Sequence, residues 1–296
     1  MNPGAVYAAL AFVAWGLYPL YFRLVASVPA FEVVLHRAVW SLLFIALVLA
    51  TLRRWSWLAA LRETPRQLWV YAASALLISS NWLLYVWAVS SGHVLDASLG
   101  YFINPLFNVA LGVLVLRERL RLTQWLAVVL AAAGVAWLTF AAGALPWVAL
   151  SLAALFALYG LVRKTARLGA LEGLSVETGL MAAFALPLLV WWTLQHDGAL
   201  LRGDTTLVAW LVASGPLTVV PLVMFAAAAR RLSLATLGLL QYISPSLQFV
   251  LGVWVFHEAF DSTRLVGFAL IWAGLAVYSV DALALTRRAV APTPPP

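Results

Sequence analysis

Apolar residues run along this chain in ten long stretches separated by short polar breaks. The stretches cover residues 3–22, 31–52, 67–90, 95–116, 122–141, 145–162, 173–194, 207–229, 234–256 and 263–285. Each approaches the roughly 20 residues a helix needs to cross the hydrocarbon core of a bilayer. The first has no basic region ahead of it and stops at Arg23, so it reads as a helix and not as a cleaved signal peptide. Residues 286–296 end in Ala-Pro-Thr-Pro-Pro-Pro and read as a disordered polyproline tail.

Composition turns this pattern into a fold class. Hydrophobic residues make up 65% of the chain and charged residues 10%, against about 45–50% and about 25% in a soluble domain. The surplus apolar surface must face lipid. The chain is expected to be an all-α integral membrane protein of ten transmembrane helices with no sizeable soluble domain. Its partners are then the lipid bilayer and a small-molecule substrate. The net charge of +7 is spread in short clusters between apolar runs, which is a topology signal and not a nucleic-acid surface. With no cysteine there is neither a disulfide nor a thiolate metal site, and no metal or cofactor is expected.

The basic clusters also set orientation. Arg53, Arg54, Arg62, Arg66, Arg117, Arg119, Arg121, Arg163, Lys164, Arg167, Arg230, Arg231, Arg287 and Arg288 fall on one side. Arg23, Arg202 and Arg264 fall on the other, and Arg37 lies inside the second run. The rich side is expected to be cytoplasmic, with both termini inside, as in a bacterial inner-membrane protein.

A shift of 140 positions superimposes two parts of the sequence. Ile103-Asn104-Pro105 becomes Ile243-Ser244-Pro245, Leu111-Gly112-Val113 becomes Leu251-Gly252-Val253, and Glu118 becomes Glu258. Thr123 becomes Thr263 and Ala133-Gly134 becomes Ala273-Gly274. This divides the chain into a first five-helix repeat at 1–141, a second at 142–285 and the tail at 286–296. An odd number of helices per repeat inverts the second repeat in the membrane. Inverted repeats are common in secondary transporters, whose substrate site lies near the midplane between them.

Polar groups at that depth need partners or water, and so avoid lipid. Tyr101, Asn104 and Asn108 share one helix face by their spacing of three and four, and their repeat counterparts Gln241, Ser244 and Gln248 do the same. Asn81 and Tyr85 form a similar pair, and Trp15, Trp82 and Trp87 lie deep in their runs. These residues either line a shared cavity or act as glue between helices. Substrate binding is assigned to Asn81, Tyr85, Tyr101, Asn104, Asn108, Gln241, Ser244, Gln248 and Trp15. Pro19, Pro105, Pro221 and Pro245 each free a backbone carbonyl four residues earlier, which makes them candidate hinges. Pro216 adds a further kink to the eighth run.

Glu32, His36 and Arg37 open the second run from the outer side, with Glu32 and His36 one turn apart and able to pair. They are candidates for coupling or gating, or an outer structural anchor. Glu118 and Glu258 read as helix-end pairing, and Asp96 suits the dipole at the start of the fourth helix. Trp55, Trp57 and Trp69 fit an interfacial belt. Small-residue faces such as Ala127, Ala131 and Gly134 allow close packing within one chain or in a homodimer.

The run from Asn81-Trp82-Leu83-Leu84-Tyr85-Val86-Trp87-Ala88-Val89 to Ala97-Ser98-Leu99-Gly100-Tyr101-Phe102-Ile103-Asn104-Pro105-Leu106 resembles the RarD subfamily of EamA transporters. So do His36-Arg37, Glu118-Arg119-Leu120, Gln124-Trp125 and Gly238-Leu239-Leu240-Gln241-Tyr242-Ile243-Ser244-Pro245. The likeness spans nearly the whole chain. It implies membership of the drug/metabolite transporter superfamily, an inverted five-plus-five fold, and a central cavity used mostly to export metabolites or drugs. RarD proteins are commonly labelled chloramphenicol-sensitive permeases, a label that does not establish a natural substrate.

The expected function is therefore a secondary transporter, an exporter of small metabolites or drugs working by alternating access. A channel or a non-transporting receptor is the alternative. An intramembrane enzyme would need a catalytic constellation. His36, His93, His196 and His257 are scattered, and neither an H-E-x-x-H motif nor a nucleotide-binding G-x-x-x-x-G-K-[ST] loop occurs, so no catalytic residue is assigned.

Overall fold

The computed structural model describes residues 2–53, 55, 58, 61, 65–91, 94–141, 147–202, 204–255 and 262–290. Expectations placed on Arg54, Trp57, Arg62, His93, His257, Glu258 and the last six residues lie outside them, as do the side chains of Asp96, Arg264, Arg287 and Arg288. The described residues form helices joined by short turns, with no strand among them. In chain order the helices are α1 (Pro3–Gly16), α2 (Tyr18–Leu24), α3 (Ala30–Thr51), α4 (Arg66–Ser90), α5 (Val94–Leu114) and α6 (Leu122–Ala141). They continue with α7 (Trp147–Thr165), α8 (Ala170–Gln195), α9 (Thr205–Ala229), α10 (Leu234–Gln241), α11 (Ile243–Trp254) and α12 (Ser262–Val290).

Local chemistry explains where several of them start. Asn2 accepts from the Gly4 amide at 2.9 Å, with Pro3 in the first turn of α1. Asp204 Oδ1 accepts from the amides of Thr206 and Leu207, both at 3.0 Å, at the head of α9. Ser233 caps α10 through the Thr236 amide at 3.0 Å. α12 runs to Val290, five residues past the expected end at 285, so the start of the expected tail continues the helix.

Two of the ten expected helices are broken. α1 and α2 part at Leu17, just before Pro19, and α10 and α11 part at Tyr242, just before Pro245. The other two candidate hinges behave differently. Pro105 stays inside α5 and Pro221 inside α9, together with Pro216. At Pro105 the neighbouring helix comes very close: a Cβ on Gly238 of α10 would stand 2.5 Å from the Pro105 carbonyl oxygen. α5 is thus clamped at Pro105, and only glycine fits opposite it.

Among the described residues, eight helical stretches are long and apolar enough to cross a membrane, counting α1 with α2 and α10 with α11 as one each. Gly100–Leu114 of α5 and Leu265–Asp281 of α12 are shorter apolar stretches. The protein is a multi-pass, all-helical membrane protein.

α6 packs on α12, and α5 lies between α7 and α10. α3 packs on α8 and α9, α4 on α7 and α8, and α1 on α9, α10 and α11. The α6–α12 seam uses glycine on both sides. A Cβ on Gly134 would lie 2.6 Å from the Gly267 carbonyl oxygen, and one on Gly274 would lie 2.6 Å from that of Ala127. Gly134 and Gly274 are repeat counterparts, as are Ala127 and Gly267, so the two contacts exchange under the same 140-residue shift. The small-residue face that left a homodimer open is occupied here by the chain's own last helix.

One end of the bundle gathers the basic residues. Arg231 stacks over Tyr7 of α1 with its guanidinium carbon 5.5 Å from the ring centroid. Arg121 pairs with Asp281 of α12 at 2.7 Å. Arg230 donates to the Leu168 carbonyl. The start of α1 therefore lies at this basic end, against Arg231.

Candidate functional site

Between the helices lies a cavity of about 770 Å³, within the size range of small-ligand sites. Eight of the nine residues assigned to substrate binding line it: Trp15, Asn81, Tyr85, Tyr101, Asn104, Gln241, Ser244 and Gln248. Pro19, Pro245 and Arg37 line it too. Asn108, Glu32, His36, Pro105 and Pro221 do not. The cavity reaches Val25 to Ala30, the connection between α2 and α3, at the end opposite the basic one.

The stripes are partly glue. Ser244 donates to the Phe12 carbonyl at 2.6 Å, and Asn81 donates to the Leu152 carbonyl at 3.0 Å. Pro19 deprives the Trp15 carbonyl of its helical donor, and Gln248 Nε2 supplies one at 3.2 Å. Pro221 does the same to Leu217, whose carbonyl accepts from the Tyr18 hydroxyl at 2.6 Å. Freed carbonyls at membrane depth are thus satisfied by side chains from facing helices, as a lipid surround demands.

Asn108 sits behind the wall and not in it. Its Nδ2 donates to Gln241 Oε1 at 2.8 Å, joining the stripe of α5 to that of α10 and holding the Gln241 side chain in place. Helical spacing fixed its face but could not say that this face meets another helix. Asn104 is 5% exposed, and its Oδ1 is buried without a hydrogen-bond partner among the described residues. A buried acceptor left unmet in a wall of this kind is a contact point for a ligand or water. Tyr85 and Tyr101 meet edge to face, with centroids 6.2 Å apart.

The expected coupling group is divided. Arg37 enters the cavity, where its guanidinium carbon lies 4.4 Å over the Trp82 ring and 5.7 Å from that of Tyr18. Its Nε donates to Thr218 Oγ1 at 3.1 Å. Glu32 and His36, both fully buried, pair at 3.7 Å on another face of α3. Glu32 also accepts from the Ala199 amide at 2.7 Å and from Trp192 Nε1 at 3.3 Å, so it ties α3 to α8 and the turn after it.

Towards the basic end the cavity is closed in two layers. Phe12, Trp15, Phe156 and Phe225 form its aromatic floor, with centroid separations of 5.2 to 6.1 Å. Tyr159 stacks beneath on Phe225, at 6.0 Å and 13°. Below that, the Glu118 carboxylate accepts from the amides of Leu234 and Ala235 at 2.8 and 3.1 Å, capping α10. Lys164 approaches the same carboxylate at 3.9 Å and donates to the carbonyls of Ala229 and Leu232. The sequence gives Glu118 as helix-end pairing, with Arg117 and Arg119 as its chain neighbours. It engages instead the second half of the chain, because the turn after α5 delivers it to the open amides at the head of α10.

Arg163 is among the basic residues that the topology argument places on the rich side. α7 continues through it, and the side chain is 1% exposed, paired with Glu177 of α8 at 3.1 Å. Tyr159 donates to the same carboxylate at 3.4 Å, and the Ala170 carbonyl accepts from Arg163 Nη2 at 2.8 Å. The available signal was Glu177 itself, an acid one turn inside an apolar run.

Comparison with known proteins agrees with this architecture. Residues 2–140 match the model of the EamA-like transporter family. An uncharacterized transporter of Pseudomonas aeruginosa is 51% identical over 97% of both chains. Protein RarD of Escherichia coli is 44% identical over 96% of both. A solved crystal structure, 21% identical, superposes with a TM-score of 0.71 over 95% of this chain and 98% of its own, which shows the shared fold.

Proposed function

Because the chain belongs to the EamA-like transporter family, within the drug/metabolite transporter superfamily, we propose that it is a secondary transporter of small organic solutes, working as an exporter by alternating access. One observation carries this reading: a solute-sized cavity walled by both halves of the chain is sealed at the basic end and extends to the α2–α3 connection at the other. Ten membrane helices form two inverted repeats of five, at 1–141 and 142–285. The exchange of helix contacts and of the glycine contacts at Gly134 and Gly274 supports this. With the basic end cytoplasmic, both termini are inside at the bacterial inner membrane, and the conformation described is the outward-facing one. Substrate contacts Asn81, Tyr85, Tyr101, Asn104 and Gln241, while Asn108 positions Gln241. Pro19 and Pro245, at the helix breaks, are the hinges. A channel is disfavoured by the aromatic floor, which leaves no continuous path.

Counterflow in proteoliposomes tests the reading. The panel holds labelled chloramphenicol, aromatic and aliphatic carboxylates, amines and amino acids, with and without a pH gradient. Saturable exchange by the wild type is expected, and its loss in a folded Asn104→Leu/Gln241→Leu variant. Normal exchange by that variant makes the polar stripes structural and removes the site assignment. Flux that does not saturate points to a channel.

A further inference from the structure

The cavity contains a charge that no described residue compensates. Among its described lining residues Arg37 is the charged one, and no carboxylate pairs with it among the described residues. The acid five residues earlier, Glu32, is spent on Ala199, Trp192 and His36 outside the cavity. A guanidinium at membrane depth is costly unless it is paired or solvated. Three groups fix its attitude without neutralising it, the Tyr18 ring at 5.7 Å among them. Trp82 lies against it at 4.4 Å, and Thr218 takes the Nε proton at 3.1 Å. Stacking on an aromatic face leaves the rim of the guanidinium, with its terminal nitrogens, as the part suited to bidentate contact with a carboxylate. The rest of the cavity offers Trp15, Tyr85, Tyr101 and Phe156 as apolar and aromatic surface, together with the unpaired Asn104 Oδ1.

On the reading of this cavity as the solute site, we propose that its ligand is an organic monoanion: a carboxylate held by Arg37 and attached to a planar apolar body that packs among Trp15, Tyr85, Tyr101 and Phe156. Arg37 is then the specificity residue, selecting anions over neutral and cationic solutes of the same shape. Asn104 Oδ1 accepts from a donor on the ligand body or from a water beside it.

Three matched probes test this: 2-naphthoate, 2-naphthamide and 2-naphthylmethylammonium, titrated calorimetrically into the full chain in phosphatidylcholine nanodiscs free of anionic lipid. The wild type is expected to bind naphthoate roughly tenfold or more tighter than the amide, the scale of one charge-assisted hydrogen-bond pair. The ammonium probe should bind weakest. Arg37→Gln should equalise naphthoate and naphthamide. Arg37→Lys, which keeps the charge and loses the planar fork, should keep the preference at lower affinity, and it carries the test if the glutamine variant does not fold. Equal binding of amide and carboxylate by the wild type overturns the proposal. So does a preference that survives in a folded Arg37→Gln, or failure of all three probes to bind. Saturable counterflow of neutral or cationic solutes alongside any of those results would leave the transporter standing and remove only the anion assignment. Naphthoate binding without any counterflow would do the reverse.

Discussion

Arg163→Ala should destabilise the protein by about 3–5 kcal/mol, the usual cost of removing one partner from a buried ion pair. Arg163 and Glu177 are 1% and 0% exposed, so the pair is shielded from solvent. Losing the guanidinium leaves a carboxylate with the Tyr159 hydroxyl at 3.4 Å in place of its counter-ion. It also strips the Ala170 carbonyl, in the first turn of α8, of its donor. The pair joins α7 to α8, the first two helices of the proposed second repeat, so its loss loosens the packing on which that half is built. Arg163→Met/Glu177→Leu should recover most of the stability, since a packed apolar pair avoids the desolvation that the ions bear. Thermal unfolding followed by intrinsic fluorescence in detergent reads both. A single variant no less stable than the wild type, or a double variant worse than either single one, would show that the pair is not holding these helices.

Glu118→Ala should open the basic end. The carboxylate makes two charge-assisted bonds to backbone amides of α10, each worth about 1.5–3 kcal/mol, and it lies 14% exposed, so solvent screening is limited. Removing it strips the Leu234 and Ala235 amides of their acceptor, with the Ser233 cap still in place, and leaves Lys164 holding only backbone carbonyls. These bonds cross from the first half of the chain to the second, the two bodies that separate to expose the cavity to the basic side in the proposed mechanism. Their loss should therefore favour the opposite conformation by roughly tenfold or more. The natural absence of cysteine makes this measurable without background. Ala11→Cys places a thiol at a fully buried position of α1 beside the aromatic floor. Its modification by a maleimide supplied from the basic side should accelerate by that factor in the Glu118→Ala background. An unchanged rate would mean that the aromatic floor alone keeps the end shut.

The helices were legible because their length is dictated by the bilayer and not by subtle propensity, and expected and observed ends agree to within five residues. The proposed repeat rests on a register in which Asn104-Pro105 and Ser244-Pro245 stand 140 positions apart with their following glycines. What the sequence could not tell was which neighbour each polar face meets. Asn108 and Asn104 share a helix face, yet one is tied to Gln241 and the other is left open to the cavity, a difference made by the close approach of α10 at Gly238. Arg37 and His36 are adjacent, and the 100° turn between them sends one into the cavity and the other into the α3–α8 seam. Glu177 was passed over because one acid in an apolar run has no visible partner until α7 and α8 are packed. Pro105 and Pro245 looked equivalent, but only the second coincides with a helix break.

The most direct test is access to one cysteine from both sides. Ile78→Cys lies near the middle of α4 and lines the cavity. In vesicles of known orientation, a membrane-impermeant thiol reagent is applied from each face in turn, in the wild-type and Glu118→Ala backgrounds. If the cavity opens alternately, the cysteine is modified from either side, and Glu118→Ala raises the rate from the basic side while lowering it from the other. Modification from one side only in both backgrounds, or rates that rise together from both, would contradict alternating access and leave a closed pocket or a continuous pore.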